Sequence, residues 1–131
     1  MKIETESKLV VDASVLGALF FQEPEAKLAE KRLLGRTWIV PTLLDYEMGS
    51  IFLKKIKTYP KLRSQLDDCF QIYSRTKIKR VEIPISSVIP IAEKFSLTVY
   101  DASYFWLANT LEIDLFTFDK ALASAWKNRS P

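Results

Sequence analysis

The feature that most constrains the fold of this chain is a series of four short apolar segments separated by helical patterns. These segments cover residues 8–12, 37–40, 79–83 and 114–118 and are rich in valine, isoleucine, leucine and aromatic residues. The remaining chain carries the spacing of helices at residues 14–22, 25–34, 43–57, 60–75, 86–95, 101–111 and 120–127. Short strands that alternate with helices are typical of an α/β fold with a mainly parallel sheet. Since 131 residues with 48% hydrophobic side chains suffice for one core, we expect a single domain over residues 1–131.

The composition excludes several classes of site. Cys69 is the only cysteine and the chain has no histidine, which excludes disulfide frameworks, thiolate zinc sites and most imidazole chemistry. The three glycines are too scattered for a phosphate-binding loop, so we expect no nucleotide cofactor. The start, MKIETESK, is not a secretory signal, and no apolar stretch approaches the roughly 20 residues of a membrane helix. We therefore expect a cytoplasmic protein with no membrane partner.

Positive charge is concentrated in the middle of the chain. Between Lys54 and Arg80 there are nine basic residues and only two acids, Asp67 and Asp68, although the formal net charge of the whole chain is only +3. A solvated helical face is the simpler interpretation of this segment. A surface that binds a polyanion would have the same composition.

Acidic residues follow the first and last strand segments. Asp12 ends the stretch LVVDAS, and Asp119 has the equivalent place in LFTFDKAL. A helix N-cap explains either residue by itself. Asp101 and Asp45 each lie three residues after a threonine, which is the spacing of a capping box.

Glu47 has no such explanation, because it lies beyond the first turn of its predicted helix. It falls between Leu43 and Ile51 on a helix that is apolar over much of its circumference. A carboxylate on that surface costs several kcal/mol unless it is paired or binds a cation.

The carboxyl ends of parallel strands lie along one edge of a sheet, and ligands bind at that edge. Asp12 and Asp119 converge there if their strands are neighbours, and Glu47 and Asp101 lie in helices that can open toward the same edge. Clustered carboxylates repel one another without a cation, and an all-oxygen ligand set suits Mg²⁺ or Mn²⁺. Such ions support phosphodiester hydrolysis without any histidine.

The order of LVVDASVL, VPTLLDYEMG, LTVYDASYFWLA and LFTFDKAL along the chain resembles the PIN domain family, specifically the VapC-type toxins of type II toxin–antitoxin modules. The resemblance implies a three-layer α/β/α fold with a four- or five-stranded mainly parallel sheet. It implies ribonuclease activity with Mg²⁺ or Mn²⁺, a homodimer and a cognate antitoxin. The implied catalytic metal ligands are Asp12, Glu47, Asp101 and Asp119, supported by the hydroxyls of Ser14 and Thr117.

One departure from the family pattern and three alternatives stay open at this point. Many relatives place an asparagine shortly after the helical glutamate, where this chain has Gly49 and Ser50. The first alternative is a catalytically weak PIN-fold module that binds RNA or protein. The second is a structure-specific DNA nuclease, although the chain lacks long insertions. The third, phosphoryl transfer through an aspartyl intermediate, fits poorly because Ser14 stands where dehalogenase-like phosphatases have a second aspartate.

Overall fold

The computed structural model describes residues 7–130 of the chain. Within them, four parallel strands form one sheet in the order β3-β2-β1-β4. The strands are β1 (Lys8–Val11), β2 (Thr37–Pro41), β3 (Lys79–Val81) and β4 (Leu115–Phe116). Helices flank this sheet, which confirms the predicted three-layer α/β/α fold in its four-stranded form.

Seven α-helices and one short 3₁₀ helix connect or follow these strands in residues 7–130. They are α1 (Ala13–Phe20), α2 (Ala26–Leu33), α3 (Leu44–Thr58), the 3₁₀ turn Pro60–Leu62, α4 (Arg63–Arg75), α5 (Ile85–Phe95), α6 (Val99–Leu111) and α7 (Lys120–Lys127). The predicted helix over 101–111 begins two residues early, because the hydroxyl of Thr98 caps it by accepting the Asp101 N–H at 3.1 Å.

The centre of the sheet explains the apolar character of the first strand. Leu9, Val10 and Val11 are each at most 1% exposed. Val10 lies in register with Ile39 of β2 on one side and Leu115 of β4 on the other. A strand that is covered on both faces and both edges needs an unbroken apolar run, which is what the sequence provides.

The helices divide into two layers. Helix α6 contacts β1 and β2, and both α5 and α7 pack against α6. Helices α1 to α4 form a second packed group, in which α1 contacts the other three. Tyr104 and Phe105 of α6 are almost fully buried, as the aromatic run Tyr104–Trp106 leads one to expect of core residues. No helix within residues 7–130 has the length and apolar character needed to span a bilayer.

The strand order fixes where a ligand site belongs. The chain passes from β1 to β2 and β3 on one side of the sheet, then returns to place β4 on the other side of β1. The connections therefore diverge from the carboxyl ends of β1 and β4. In open α/β sheets, ligands bind at this divergence point.

Candidate active site

Asp12 lies at the divergence point, directly after β1, and is 3% exposed. It caps α1, but the hydrogen bond from the Val15 N–H to Oδ1 is long, at 3.3 Å. Burial raises the pKa of Asp12 from its ordinary value of 3.8 to about 6, against the opposing effect of its hydrogen bonds. A helix cap normally lies at the surface, so capping alone does not account for this buried carboxylate.

Two hydroxyls are held so that their hydrogens point at Asp12. Ser14 Oγ donates to Asp12 Oδ1 and Thr117 Oγ1 donates to Oδ2, both at 2.6 Å. Each hydroxyl oxygen in turn accepts a backbone N–H at 2.9 Å, that of Phe118 for Ser14 and that of Asp119 for Thr117. Because each hydroxyl oxygen already accepts a backbone N–H, its own hydrogen is directed at Asp12, and the carboxylate receives two O–H donors that favour its ionised form.

Glu47 is half-buried and lies in the first turn of α3, not beyond it as the sequence predicted, because the helix begins at Leu44. It contacts the buried side chain of Tyr104. The hydroxyl of Tyr104 donates to Glu47 Oε1 at 2.6 Å. Burial, together with the charges of Asp12 and Asp101, raises the pKa of Glu47 from 4.5 to about 7, against the opposing effect of the hydrogen bond from Tyr104. Tyr104 could have been found from its spacing, since it lies three residues after Asp101 on one face of α6 and a buried tyrosine needs a partner for its hydroxyl.

Asp101 and Asp119 complete the set of predicted site acids. Burial raises the pKa of Asp101, and the neighbouring charge of Asp119 adds to this. Asp119 caps α7 by accepting the Leu122 N–H at 2.8 Å. The mutual effects on pKa link Asp12, Glu47, Asp101 and Asp119 into one electrostatic neighbourhood.

The charges of this neighbourhood have no cationic partner in the described part of the chain. The ion pairs found between residues 7 and 130 involve other acids, namely Glu23, Asp45 and Asp67. Oxygen donors of this kind suit Mg²⁺ or Mn²⁺. In their present side-chain conformations, however, no three Asp, Glu or Cys residues among 7–130 are grouped so that they could hold a metal ion. The donor chemistry therefore fits a divalent ion, but the present side-chain arrangement does not form a ligand group.

Asp45 does not take the capping role predicted for it. Helix α3 begins at Leu44 without a side-chain cap, because the Thr42 N–H still pairs with the Val81 carbonyl at 3.0 Å. Asp45 instead accepts two hydrogen bonds from Arg80, at 2.8 and 2.9 Å, and a further one from Tyr73. Hydrogen bonding to Arg80 lowers the pKa of Asp45. The pair fastens the start of α3, and with it Glu47, to β3.

A groove of about 610 Å³ lies beside Glu47. Its walls come from the start of α1, the first half of α3 and the first turn of α6. The lining residues are Ala13, Leu43, Tyr46, Glu47, Ser50, Ile51 and Tyr100. Tyr46 and Tyr100 are among the most exposed large side chains of the described chain, at 83% and 60%.

The basic segment Lys54–Arg80 covers the end of α3, the 3₁₀ turn, α4 and β3. Three of its nine basic residues make ion pairs, in which Lys55, Arg63 and Arg80 contact Glu23, Asp67 and Asp45. The others make no ion pair within residues 7–130, and all of them are exposed. This surface is positive and solvated, which agrees with both interpretations of the sequence.

Comparisons with known proteins point to one family. Ribonuclease VapC3 of Pyrobaculum aerophilum is 29% identical over 122 residues, which cover 88% of this chain and 92% of that protein. The crystal structure of PAE2754 from Pyrobaculum aerophilum matches with a TM-score of 0.67 at 24% identity, covering 93% of this chain and 81% of that one. Mycobacterium tuberculosis VapC20, described as a sarcin-ricin loop cleaving toxin, matches with a TM-score of 0.64 at 13% identity, covering 89% and 94%. The PIN domain model matches residues 9–127, nearly the whole chain. The chain therefore belongs to the PIN domain family.

Proposed function

We propose that this protein is a divalent-metal-dependent endoribonuclease, the toxin of a toxin–antitoxin pair. The observation that carries the proposal is the environment of Asp12: a carboxylate 3% exposed at the divergence point of the sheet, with two oriented hydroxyls. The charges of three further carboxylates raise the pKa of Asp12 or of one another. None of the four makes an ion pair within residues 7–130. A ribonuclease of the VapC group among the relatives supports the substrate class.

Each carboxylate has a distinct part in the proposed reaction. Asp12 and Asp101 would hold Mg²⁺ or Mn²⁺ centrally, with Asp119 completing the site and Glu47 ligating directly or through water. The bound ion would lower the pKa of a water and neutralise charge on the leaving oxygen of a phosphodiester. Ser14 and Thr117 hold Asp12 in its ionised form through the two hydroxyl donors. Tyr104 orients Glu47 by donating a hydrogen bond to Oε1.

The test is cleavage of labelled RNA by the purified protein, with Mg²⁺ or Mn²⁺ and with EDTA. We expect cleavage only with metal, and a loss of at least about 100-fold for Asp12→Asn and for Asp101→Asn. Asp68→Asn is the matched control, because Asp68 is exposed and lies on α4, outside the carboxylate neighbourhood. Full activity of a folded Asp12→Asn variant would contradict the proposal. Single- and double-stranded DNA of the same sequence tests the alternative of a DNA nuclease.

The toxin role adds two partners to the proposal, a cognate antitoxin and a second copy of the chain. Support comes from the relatives, one named as a VapC ribonuclease and one described as a toxin. We expect expression of the protein to arrest growth of a bacterial host and co-expression of the antitoxin to restore it. Light scattering of the purified protein measures its molar mass, which should be that of two chains.

A second candidate function is a PIN-fold module that binds RNA without cutting it. It is favoured by the lack, among residues 7–130, of a carboxylate group already arranged for a metal ion. The departure at Gly49 and Ser50 agrees with it. Such a module would bind RNA equally well with EDTA and with Mg²⁺, and would leave the RNA intact.

A further inference from the structure

The groove beside Glu47 has a composition that a phosphate-binding surface would not have. None of its lining residues is basic, and its charged member is Glu47 itself, so phosphates are not attracted to it. Leu43, Ile51 and the two tyrosines give it flat or apolar walls instead. Its volume of about 610 Å³ is in the range of ligand sites, roughly 300–1,000 Å³.

The two exposed tyrosines are placed by the same helices that place the site acids. Tyr46 immediately precedes Glu47 on α3, and Tyr100 immediately precedes Asp101 on α6. Consecutive helical residues differ by about 100° in direction, so that each acid can turn inward while its neighbour faces solvent. The result is a pair of phenol rings, 83% and 60% exposed, at the rim of the carboxylate neighbourhood.

This exposure has no structural explanation within the described chain. The aromatic contacts among residues 7–130 involve other rings, and neither tyrosine side chain makes a hydrogen bond or an ion pair there. Two exposed aromatic rings on the walls of one groove form a contiguous surface of the kind that marks an interaction site. Aromatic faces are the usual platforms for unstacked nucleobases, because every base has a π-face.

We infer that Tyr46 and Tyr100 form a base-stacking subsite for single-stranded RNA, which holds nucleotides next to the phosphodiester at the carboxylates. The inference rests on the proposed function for its substrate. The argument for this occupant is continuity: Glu47 belongs both to the carboxylate neighbourhood and to the wall of the groove. A strand whose phosphate lies at the carboxylates therefore has its adjoining bases at the groove. Ser50, on the same wall, offers a hydroxyl to a base edge.

The experiment compares Tyr46→Ala and Tyr100→Ala with Tyr46→Phe and Tyr100→Phe. Tyr59→Ala is the matched control, because Tyr59 is 52% exposed but does not line the groove. The probe is a fluorescein-labelled single-stranded RNA of about 12 nucleotides, with binding measured by anisotropy in EDTA at low salt. We expect each alanine variant to weaken binding by about 5- to 100-fold and each phenylalanine variant to change it less than about 2-fold. In cleavage assays the alanine variants should raise KM more than they lower kcat.

An RNA series in which single bases are removed separates stacking from other effects. Removing the base that stacks should weaken wild-type binding as the alanine substitution does, and should cause no further loss in the matching alanine variant. Binding that is equal for Tyr46→Ala, Tyr100→Ala and Tyr59→Ala overturns the inference. So does a phenylalanine variant as impaired as its alanine counterpart, since the ring would then not be the binding element.

Two outcomes distinguish failure of the subsite from failure of the proposed function. If wild type binds RNA through the tyrosines but does not cleave it with metal, the catalytic proposal fails and the subsite stands. If wild type cleaves RNA and the tyrosine variants cleave it with unchanged KM, the subsite fails and the catalytic proposal stands. A change in oligomeric state by light scattering, with RNA binding unchanged, assigns the groove to a second copy of the chain and overturns the inference.

Discussion

Replacement of Asp12 by asparagine should stabilise the protein at pH 8 in the absence of metal. Asp12 is buried and its pKa rises from 3.8 to about 6. That difference corresponds to about 3 kcal/mol by which the folded state disfavours the ionised carboxylate. Asparagine removes the charge, but it offers an amide N–H where Thr117 now donates, which weakens one hydrogen bond at a cost of about 1 kcal/mol.

The expected net gain is about 2 kcal/mol at pH 8 in EDTA, or a rise in Tm of about 7 °C at roughly 3–4 °C per kcal/mol for a chain of this length. The sign depends on pH. Because the folded-state pKa of Asp12 is raised, the folded protein binds this proton more tightly than the unfolded chain does. The contribution of Asp12 to wild-type stability therefore falls as pH rises from about 4 to about 7. Below pH 4 the advantage of the variant disappears, and the weakened hydrogen bond should leave it about 1 kcal/mol less stable.

Urea unfolding followed by tryptophan fluorescence, at several pH values in EDTA, measures this difference. Asp68→Asn serves as the control and should change the free energy of unfolding by less than about 0.5 kcal/mol at every pH. Mg²⁺ should stabilise wild type at pH 8 and narrow its difference from Asp12→Asn. A destabilised Asp12→Asn variant at pH 8, with the same deficit at pH 4, would refute the reasoning and leave Asp12 as a satisfied helix cap.

Three further predictions test other parts of the structure. Gly49→Ala in the middle of α3 should raise the free energy of unfolding by about 0.5–1 kcal/mol, because the added Cβ meets no atom within 4 Å. Gly17→Ala should raise it less or lower it, since a Cβ there would lie 3.1 Å from a neighbouring side chain. Urea unfolding of both variants measures the difference. Arg80→Met should lower the free energy of unfolding by about 1–2 kcal/mol at pH 7 and by less near pH 3. Because the pKa of Asp45 is lowered in the folded state, the pair stabilises the protein above the ordinary pKa of the acid, and this stabilisation is lost as pH falls through the folded-state pKa. An equal loss at both pH values would contradict the ion-pair interpretation. Tyr104→Phe should weaken Mg²⁺ binding about 10- to 100-fold, because it removes the hydrogen bond that orients Glu47. Titration calorimetry measures this, and an unchanged affinity would show that Tyr104 does not position Glu47 for the ion.

The sequence predicted the parts of the fold that depend on local patterns. Unbroken apolar runs locate strands that are buried on both faces, and β1 is such a strand. Asp12 and Asp119 converge only because β1 and β4 are neighbours in the sheet, and the periodicity of the sequence does not predict which strands are neighbours. The strand order supplies it, and Thr117 then reaches Asp12 directly.

Two residues show where local reasoning ends. The spacing of Asp45 from Thr42 is that of a capping box, but Asp45 pairs instead with Arg80, 35 positions away. Tyr104 has the burial expected of a core aromatic, and only its contact with Glu47 shows that its hydroxyl belongs to the site. In both cases the deciding partner is distant in sequence, so a local pattern indicates at most that a partner is needed and not which residue provides it.

The hydrogen bond from Thr117 to Asp12 joins residues 105 positions apart and has a consequence for biosynthesis. A growing chain that has not yet reached β4 has Asp12 but lacks the second hydroxyl, Asp119 and the strand that covers one edge of β1. During translation the carboxylate site is therefore among the last features to form. A ribosome that makes this protein holds a chain without its fourth strand and without the complete carboxylate site until the segment after Leu115 has emerged.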